Sequence, residues 1–378
     1  MFHKAKSAIQ IAALTLTFFL PFATAIIVEN FSTSITERGK STPLLFGPKG
    51  DRFDLTINSL FFRGDSSSEL SMADFQLLSE ENRGIMVPVR LGFSAHNFPI
   101  VGTSVDYFVA RNITAKLGTI PLMLGEATLG SECAKSLNAK IGDHILTDQV
   151  NLYDLSASYP IKLKVVGVLS QTHSADDNAV FTSMGTAWVI SGLGHGHEPI
   201  NEETDNTKLL SKTKKQITAN ASIEQFIEIN ESNINEFHFH SDPALLPITS
   251  IIAFPKNTKD GTILKAKYLR HQRIQSLEPS TVIGELLDVV IRLKRLFDSS
   301  YAITALAAVL FLTAVILLSL QTRKRETKTL FLMGCSRGTI CMIFSAEIII
   351  LCLFSILFAL LGAFAITFLG SDILQILR

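Results

Sequence analysis

The sequence is short of several things, and each shortage excludes something. It carries no net charge, with 34 acidic and 34 basic side chains in 378 residues, so nothing in its electrostatics calls for a nucleic-acid partner. It has four cysteines. Cys335, Cys341 and Cys352 lie near the C-terminus and Cys133 stands alone in the long middle region, which excludes an intramolecular disulfide there. That region must be held by its own core. There is no Gly-x-x-x-x-Gly-Lys-Ser/Thr segment and no His-Glu-x-x-His, so neither a P-loop nucleotide site nor that zinc-protease signature is present. No serine is spaced with a histidine as a nucleophile with its base, which leaves an unrecognised hydrolase as the weakest reading.

The chain does have long uncharged runs. Residues 8–27 and 301–320 hold no charged side chain, and residues 339–370 hold only Glu347. A membrane span needs about 20 apolar residues, so three spans are expected. Lys4 and Lys6 before the first run, and Ala23-Thr24-Ala25 at its end, also suit a cleaved leader. The run continues through Ile26, Ile27 and Val28, which favours a span. Basic residues in short loops mark the cytoplasmic side. Arg323, Lys324, Arg325, Lys328 and Arg337 outnumber Glu326 after the second run, and Lys4 and Lys6 precede the first. Residues 29–299 are therefore expected on the opposite, external face of the membrane.

The expected organisation is a tail and first span at 1–28, an external α/β domain at 29–299, a span at 300–320, a cytoplasmic loop at 321–338, a span at 339–370 and a tail at 371–378. The fold class is an α/β membrane protein, with three transmembrane helices and a large mixed domain between the first and second. Within that domain 251–256 reads as a strand, 125–141 as a helix ending in a turn at Gly142-Asp143, and 161–169 as a strand with Leu163, Val165 and Val168 on its apolar face. Residues 176–190 read as a strand followed by a helix. Residues 281–299 have helical apolar spacing with Glu285, Asp288, Arg292, Lys294 and Arg295 on a polar face. They suit a stalk rising into the second span, or a helix packed on its own domain.

Residues 195–242 read as a polar insertion. His195 and His197 stand at its start, His238 and His240 at its end. If Phe-His-Phe-His is a strand, Glu236, His238 and His240 share one face. Four imidazoles with carboxylates nearby suit a zinc-like ion; the alternative is surface histidines in a polar loop.

The segment 324–347, KRETKTLFLMGCSRGTICMIFSAE, joins the last two apolar runs. Together with LGEATLGSECAKSLNAKIGDHI and LKVVGVL in the external region, it resembles the permease subunits of the MacB/LolC/FtsX group of ABC transporters. The matching residues are Arg325 and Glu326 at the basic start, Leu332, then Gly334, Cys335, Ser336 and Arg337, and Glu347 entering the next span. The resemblance implies that this loop lies on a separate ATPase subunit and transmits its closure, so ATP is used by the partner and not by this chain. It implies a second permease copy, possible contacts with a periplasmic or outer-membrane partner, and cargo such as lipoproteins, peptides or amphipathic small molecules. The histidines add a zinc link. Members of the group have four spans and this sequence shows three, so a fourth is expected to be lost, truncated or supplied by another chain. A reading of another class is a membrane-anchored regulator or scaffold that controls a periplasmic partner without moving cargo.

Overall fold

The computed structural model describes residues 4–64, 68–149, 159–198, 209–213, 216–219, 225–322 and 324–377. The chain divides into two compact units, Met1–Ile35 with Glu285–Arg378, and Thr36–Gly284. Four helices supply the first unit: α1 (Lys4–Lys40), α2 (Pro279–Thr322), α3 (Lys324–Leu332) and α4 (Arg337–Leu377). Both α1 and α2 also contribute residues to the second unit.

Two stretches are long and apolar enough to cross a bilayer, Ala8–Lys40 in α1 and Arg337–Ile366 in α4. Only 11% and 22% of their apolar windows is buried, so neither is the core helix of a globular domain. Three spans were expected, and among the described residues two meet this standard. The run at 301–320 forms the latter part of α2, where Leu306, Val309 and Leu310 are exposed. Within this unit α4 packs on α1 through small residues. Ser355, Ala359 and Ala363 are buried, the Ser355 hydroxyl donates to the Ile11 carbonyl at 3.3 Å, and Gly362 lies beneath the Phe19 ring. Small residues one turn apart let two helix backbones approach closely. On α2, Val289, Leu293, Leu296 and Phe297 are exposed.

The second unit is built on one mixed sheet. Its strands are β1 (Leu44–Pro48), β2 (Gly84–Ala95), β3 (Phe98–Thr103), β4 (Ala115–Gly118), β5 (Glu126–Leu129), β6 (His144–Leu146), β7 (Lys162–Leu169) and β8 (Val180–Ser183). Two short strands, β9 (Gly194–Gly196) and β10 (Phe237–Phe239), pair with each other instead. The sheet resumes with β11 (Ser250–Pro255) and β12 (Ile274–Leu277). Its order is β12-β1-β11-β2-β3-β8-β5-β7-β4, with β6 also on β7; β3 with β8 and β5 with β7 are the parallel pairs.

Local pattern explains much of this. In β11, Ile251, Ile252 and Ala253 are all buried, the unbroken apolar run of a strand covered on both faces and paired on both edges. In β7, Leu163, Val165 and Leu169 are buried and Val168 only half so. Strict alternation through Gly167 thus corrects the expected place of Val168. The piece expected as a helix at 125–141 opens with β5, and only Ser131–Leu137 is helical. Pairing on both edges overrides the helical propensity of so short a run. The strand and helix expected at 176–190 are β8 and the helix Met184–Ile190.

Two clusters of buried apolar residues stand out among the described residues. One gathers Ile100, Leu129, Cys133, Ile145, Leu163, Val165 and Val189, the other Phe46, Leu78, Met86, Ile251, Leu264 and Tyr268. Of the insertion expected at 195–242, residues 199–208, 214–215 and 220–224 lie outside the described residues.

Candidate metal centre and coupling turn

The histidines of 195–240 come together because two short sequences alternate in step. Strand β9 and its flank read Gly194-His195-Gly196-His197; β10 and its flank read Phe237-His238-Phe239-His240. They pair antiparallel with His195 opposite His238, Gly194 opposite Phe239 and Gly196 opposite Phe237. Alternate side chains take opposite faces of a strand, so one face holds only phenylalanine and glycine and the other only histidine. The glycines are required by the close approach of the rings. A Cβ at Gly194 would meet Phe239 at 2.6 Å, and one at Gly196 would meet Phe237 at 2.6 Å. Phe237 and Phe239 pack on the core cluster of Ile145, Leu163 and Val189, and Phe239 meets Trp188 edge-on at 6.1 Å. That aromatic face fixes the ribbon to the unit.

On the other face the His195 ring centroid lies 4.9 Å from those of both His238 and His240 and 5.6 Å from that of His197. His197 and His238 are 5.0 Å apart, His238 and His240 4.8 Å. The Nε2 atoms of His195 and His240 approach to 3.5 Å, and ligand nitrogens of His195, His238 and His240 all fall within 4.8 Å of one another. His197 Nδ1 faces the Glu198 carbonyl at 2.7 Å, and His238 Nδ1 faces the Glu236 carbonyl at 3.0 Å. A carbonyl only accepts, so in both rings Nδ1 is the donor and Nε2 is the nitrogen left for another partner. Burial, and then the neighbouring His238, His240 and His197, lower the His195 pKa from its usual value.

The turn between α3 and α4 is a helix stop followed at once by a helix start. Gly334 takes φ +92°, its amide donates to the Phe331 carbonyl at 3.0 Å, and the Cys335 amide donates to the Leu330 carbonyl at 3.1 Å. These two bonds close α3 with a left-handed glycine, as a Schellman motif does. Ser336 then caps α4 by accepting from the Thr339 amide at 3.1 Å. Gly334 and Ser336 thus have local roles that need no partner. The stretch Gly334-Cys335-Ser336-Arg337-Gly338 also has the Gly-x-Ser-x-Gly spelling of a hydrolase nucleophile elbow, a match missed in reading the sequence. That elbow requires a strand before it and a helix after it. Here helices lie on both sides, and among the described residues the hydroxyl meets only Thr339.

The apolar end of α3 is left bare, with Phe331, Leu332 and Met333 exposed by 54%, 76% and 68%. Arg337 is exposed beside them. The side chains of Arg325, Glu326 and Glu347 lie outside the described residues; their backbones belong to α3 and α4.

A third cluster gives no sign in the sequence. Arg38, in the last turn of α1, is buried and forms a two-pronged ion pair with Asp176, Nη1 to Oδ2 at 2.6 Å and Nη2 to Oδ1 at 2.9 Å. It also donates to the Tyr107 hydroxyl and the Leu60 carbonyl, each at 3.0 Å, and Tyr107 donates to Asp176 at 2.6 Å. Arg111 lies over the Tyr107 ring at 5.1 Å and donates to Thr42 at 2.9 Å. Burial works against the Asp176 charge, but Arg38 and Arg111 outweigh it and hold the carboxyl at about 2. Burial pushes Tyr107 up to about 12 against the pull of Arg38, and burial with the nearby Arg38 charge lowers Arg111. The same unit has a half-open cavity of about 600 Å³ lined by Leu124, Glu126, His144, Lys164, Glu228 and Ile234. Its Glu228 is engaged by Lys162 at 2.6 Å and by His144 at 3.3 Å.

No family model matches this chain, and no curated protein matches it at a significant level. Among solved structures it is similar to the periplasmic region of MacB from Actinobacillus actinomycetemcomitans, with 11% identity and a TM-score of 0.38 over 65% of this chain and 94% of that one. It is also similar to the extracellular domain of the noncanonical ABC-type transporter YknZ from Gram-positive bacteria. That match has 9% identity and a TM-score of 0.34 over 62% of this chain and 99% of that one. Scores of this size carry no argument about function.

Proposed function

We propose that this chain is a permease-type subunit of a bacterial inner-membrane transporter, driven by a separate ATPase that docks at the α3–α4 turn. The observation that carries the reading is the bare Phe331-Leu332-Met333 end of α3, exposed between two long apolar helices and closed off by Gly334. A short amphipathic helix with three exposed apolar side chains suits burial in a groove of a partner protein. Lys324 and Lys328 on the same helix suit the headgroups beside it. Movement of this turn would reach the external unit through α1 and α2, which have residues in both units. Within the Thr36–Gly284 unit the two helices meet where Gly39 lies under Ile283, and Arg38 is locked to Asp176. The exposed Val289, Leu293 and Leu296 at 4-then-3 spacing on α2 suit pairing with a second permease copy. The cargo class is amphipathic: a lipoprotein, a peptide or a small molecule handled at the periplasmic face.

The test is purification of the tagged chain from native membranes in mild detergent, with identification of what accompanies it. A P-loop ATPase accompanying the wild type and lost from Leu332→Asp is the expected result. Absence of an ATPase from the wild type, or its full retention by Leu332→Asp, would overturn the reading.

A further inference from the structure

We infer that His195, His197, His238 and His240 form a binding site for one divalent transition-metal ion, with zinc the first candidate. The inference stands independently of the transport reading. Four imidazoles crowd one face of a two-stranded ribbon whose other face is packed away. In a tetrahedral zinc site with bonds of 2.0–2.1 Å, ligand nitrogens stand ~3.4 Å apart. The Nε2 atoms of His195 and His240 are 3.5 Å apart, and the ligand nitrogens of His195, His238 and His240 lie within 4.8 Å of one another. His197, its ring centroid 5.0 Å from that of His238, closes on this trio as the fourth ligand when the ion binds.

The surroundings meet the other demands of a metal site. Backbone carbonyls of Glu198 and Glu236 hold Nδ1 of His197 and His238, the outer contact that orients a ligating imidazole and leaves Nε2 for the ion. The set contains no thiolate or carboxylate, so it selects zinc, copper, nickel or cobalt over calcium or magnesium, which demand oxygen ligands. The alternation that places the rings together also needs Gly194 and Gly196, because the phenylalanines occupy the space a Cβ would take. Histidines scattered in a polar loop would not require that match between two segments some 40 residues apart in sequence.

The ion also has a structural consequence. His195 and His197 end the chain's path into the segment 198–236, and His238 and His240 begin its path out. One ion bound by both pairs ties the two ends of that segment together. A two-stranded ribbon of three-residue strands is marginal alone, and metal binding to such an element adds directly to its stability.

The test uses the full chain in detergent, carrying a tag without histidine and stripped with chelator. Zn²⁺ is titrated by calorimetry, and Co²⁺ serves as a visible reporter of coordination number. The expected result is one Zn²⁺ per chain and the intense absorption of four-coordinate Co²⁺. Affinity should fall by more than about a hundredfold in His195→Ala/His240→Ala, since loss of a mere outer-shell partner already costs 10–100-fold. His173→Asn, outside the cluster, should bind as the wild type does. Trp188 emission unchanged in the double variant would show that the ribbon is still seated, because Phe239 lies against that ring. No zinc binding by the wild type, only weak six-coordinate Co²⁺ absorption, or equal binding by the double variant would overturn the inference.

Discussion

Replacing Arg38 with methionine is the most informative single perturbation of this fold. Methionine keeps the bulk but leaves Asp176, only 1% exposed, as a buried carboxylate without its main counter-charge. Breaking a buried ion pair from one side costs about 3–5 kcal/mol. For a unit of this size each kcal/mol moves the melting temperature by roughly 2–4 °C, so Arg38→Met should melt about 6–20 °C below the wild type. The chain's one tryptophan, Trp188, lies in the same unit, so its emission follows that unit's unfolding alone. Arg38→Met/Asp176→Leu removes both members of the pair, leaves Arg111 as the remaining charge beside Tyr107, and should recover at least about 2 kcal/mol of the loss. The Tyr107 hydroxyl, deprived of its acceptor, holds back the rest. The wild type adds a pH signature. The folded Asp176 carboxyl sits at about 2 against 3.8 for the free group, which at 1.36 kcal/mol per pH unit is worth about 2 kcal/mol. A depressed carboxylate stabilises fully above its unfolded value, so this contribution is complete above about pH 4 and is lost as the pH falls towards 2. If Arg38→Met melts within about 2 °C of the wild type, or the double variant is no better than the single, the anchor is not what holds the end of α1.

Two further outcomes follow from packing. Gly194→Val would stabilise an ordinary strand, but here its Cβ would lie 2.6 Å from the Phe239 ring. It should cost about 1–3 kcal/mol and shift Trp188 emission; a higher melting temperature would mean that Phe239 does not lie over Gly194. Cys133 is fully buried and burial pushes its thiol up to about 12. In a variant with Cys335, Cys341 and Cys352 changed to serine, thiol labelling at pH 8 should begin only on unfolding, and rapid labelling of the native protein would contradict the packing.

The helical runs around 8–27 and 339–370, the β11 strand and the β8-then-helix order were legible because each follows from a local pattern: uncharged length, an unbroken apolar run, or a change of period. The opening of the 125–141 segment was not legible, because Glu126–Leu129 is a strand only through partners on both of its edges. The phase of β7 turned on Gly167, whose burial does not show in a hydrophobicity pattern.

The histidine cluster lies between these cases. The paired spacings His195-x-His197 and His238-x-His240 were visible, and alternation alone put each pair on one face. That the two pairs face one another required the β9–β10 register, which rests on phenylalanine rings settling over glycine backbone. Gly334 and Ser336 stood out in the sequence as part of the family-like stretch, and the structure adds that they end one helix and start the next. The Arg38–Asp176 pair left no trace at all, since 138 residues separate its members and neither spacing nor composition links them. The sequence by itself determined which segments are helical through apolar length, where strands alternate and which residue types were available for chemistry, because those depend on neighbours along the chain. The tertiary structure decided which charges are buried together and which imidazoles converge, because a buried ion pair and a ligand cluster form only when distant segments share a desolvated place.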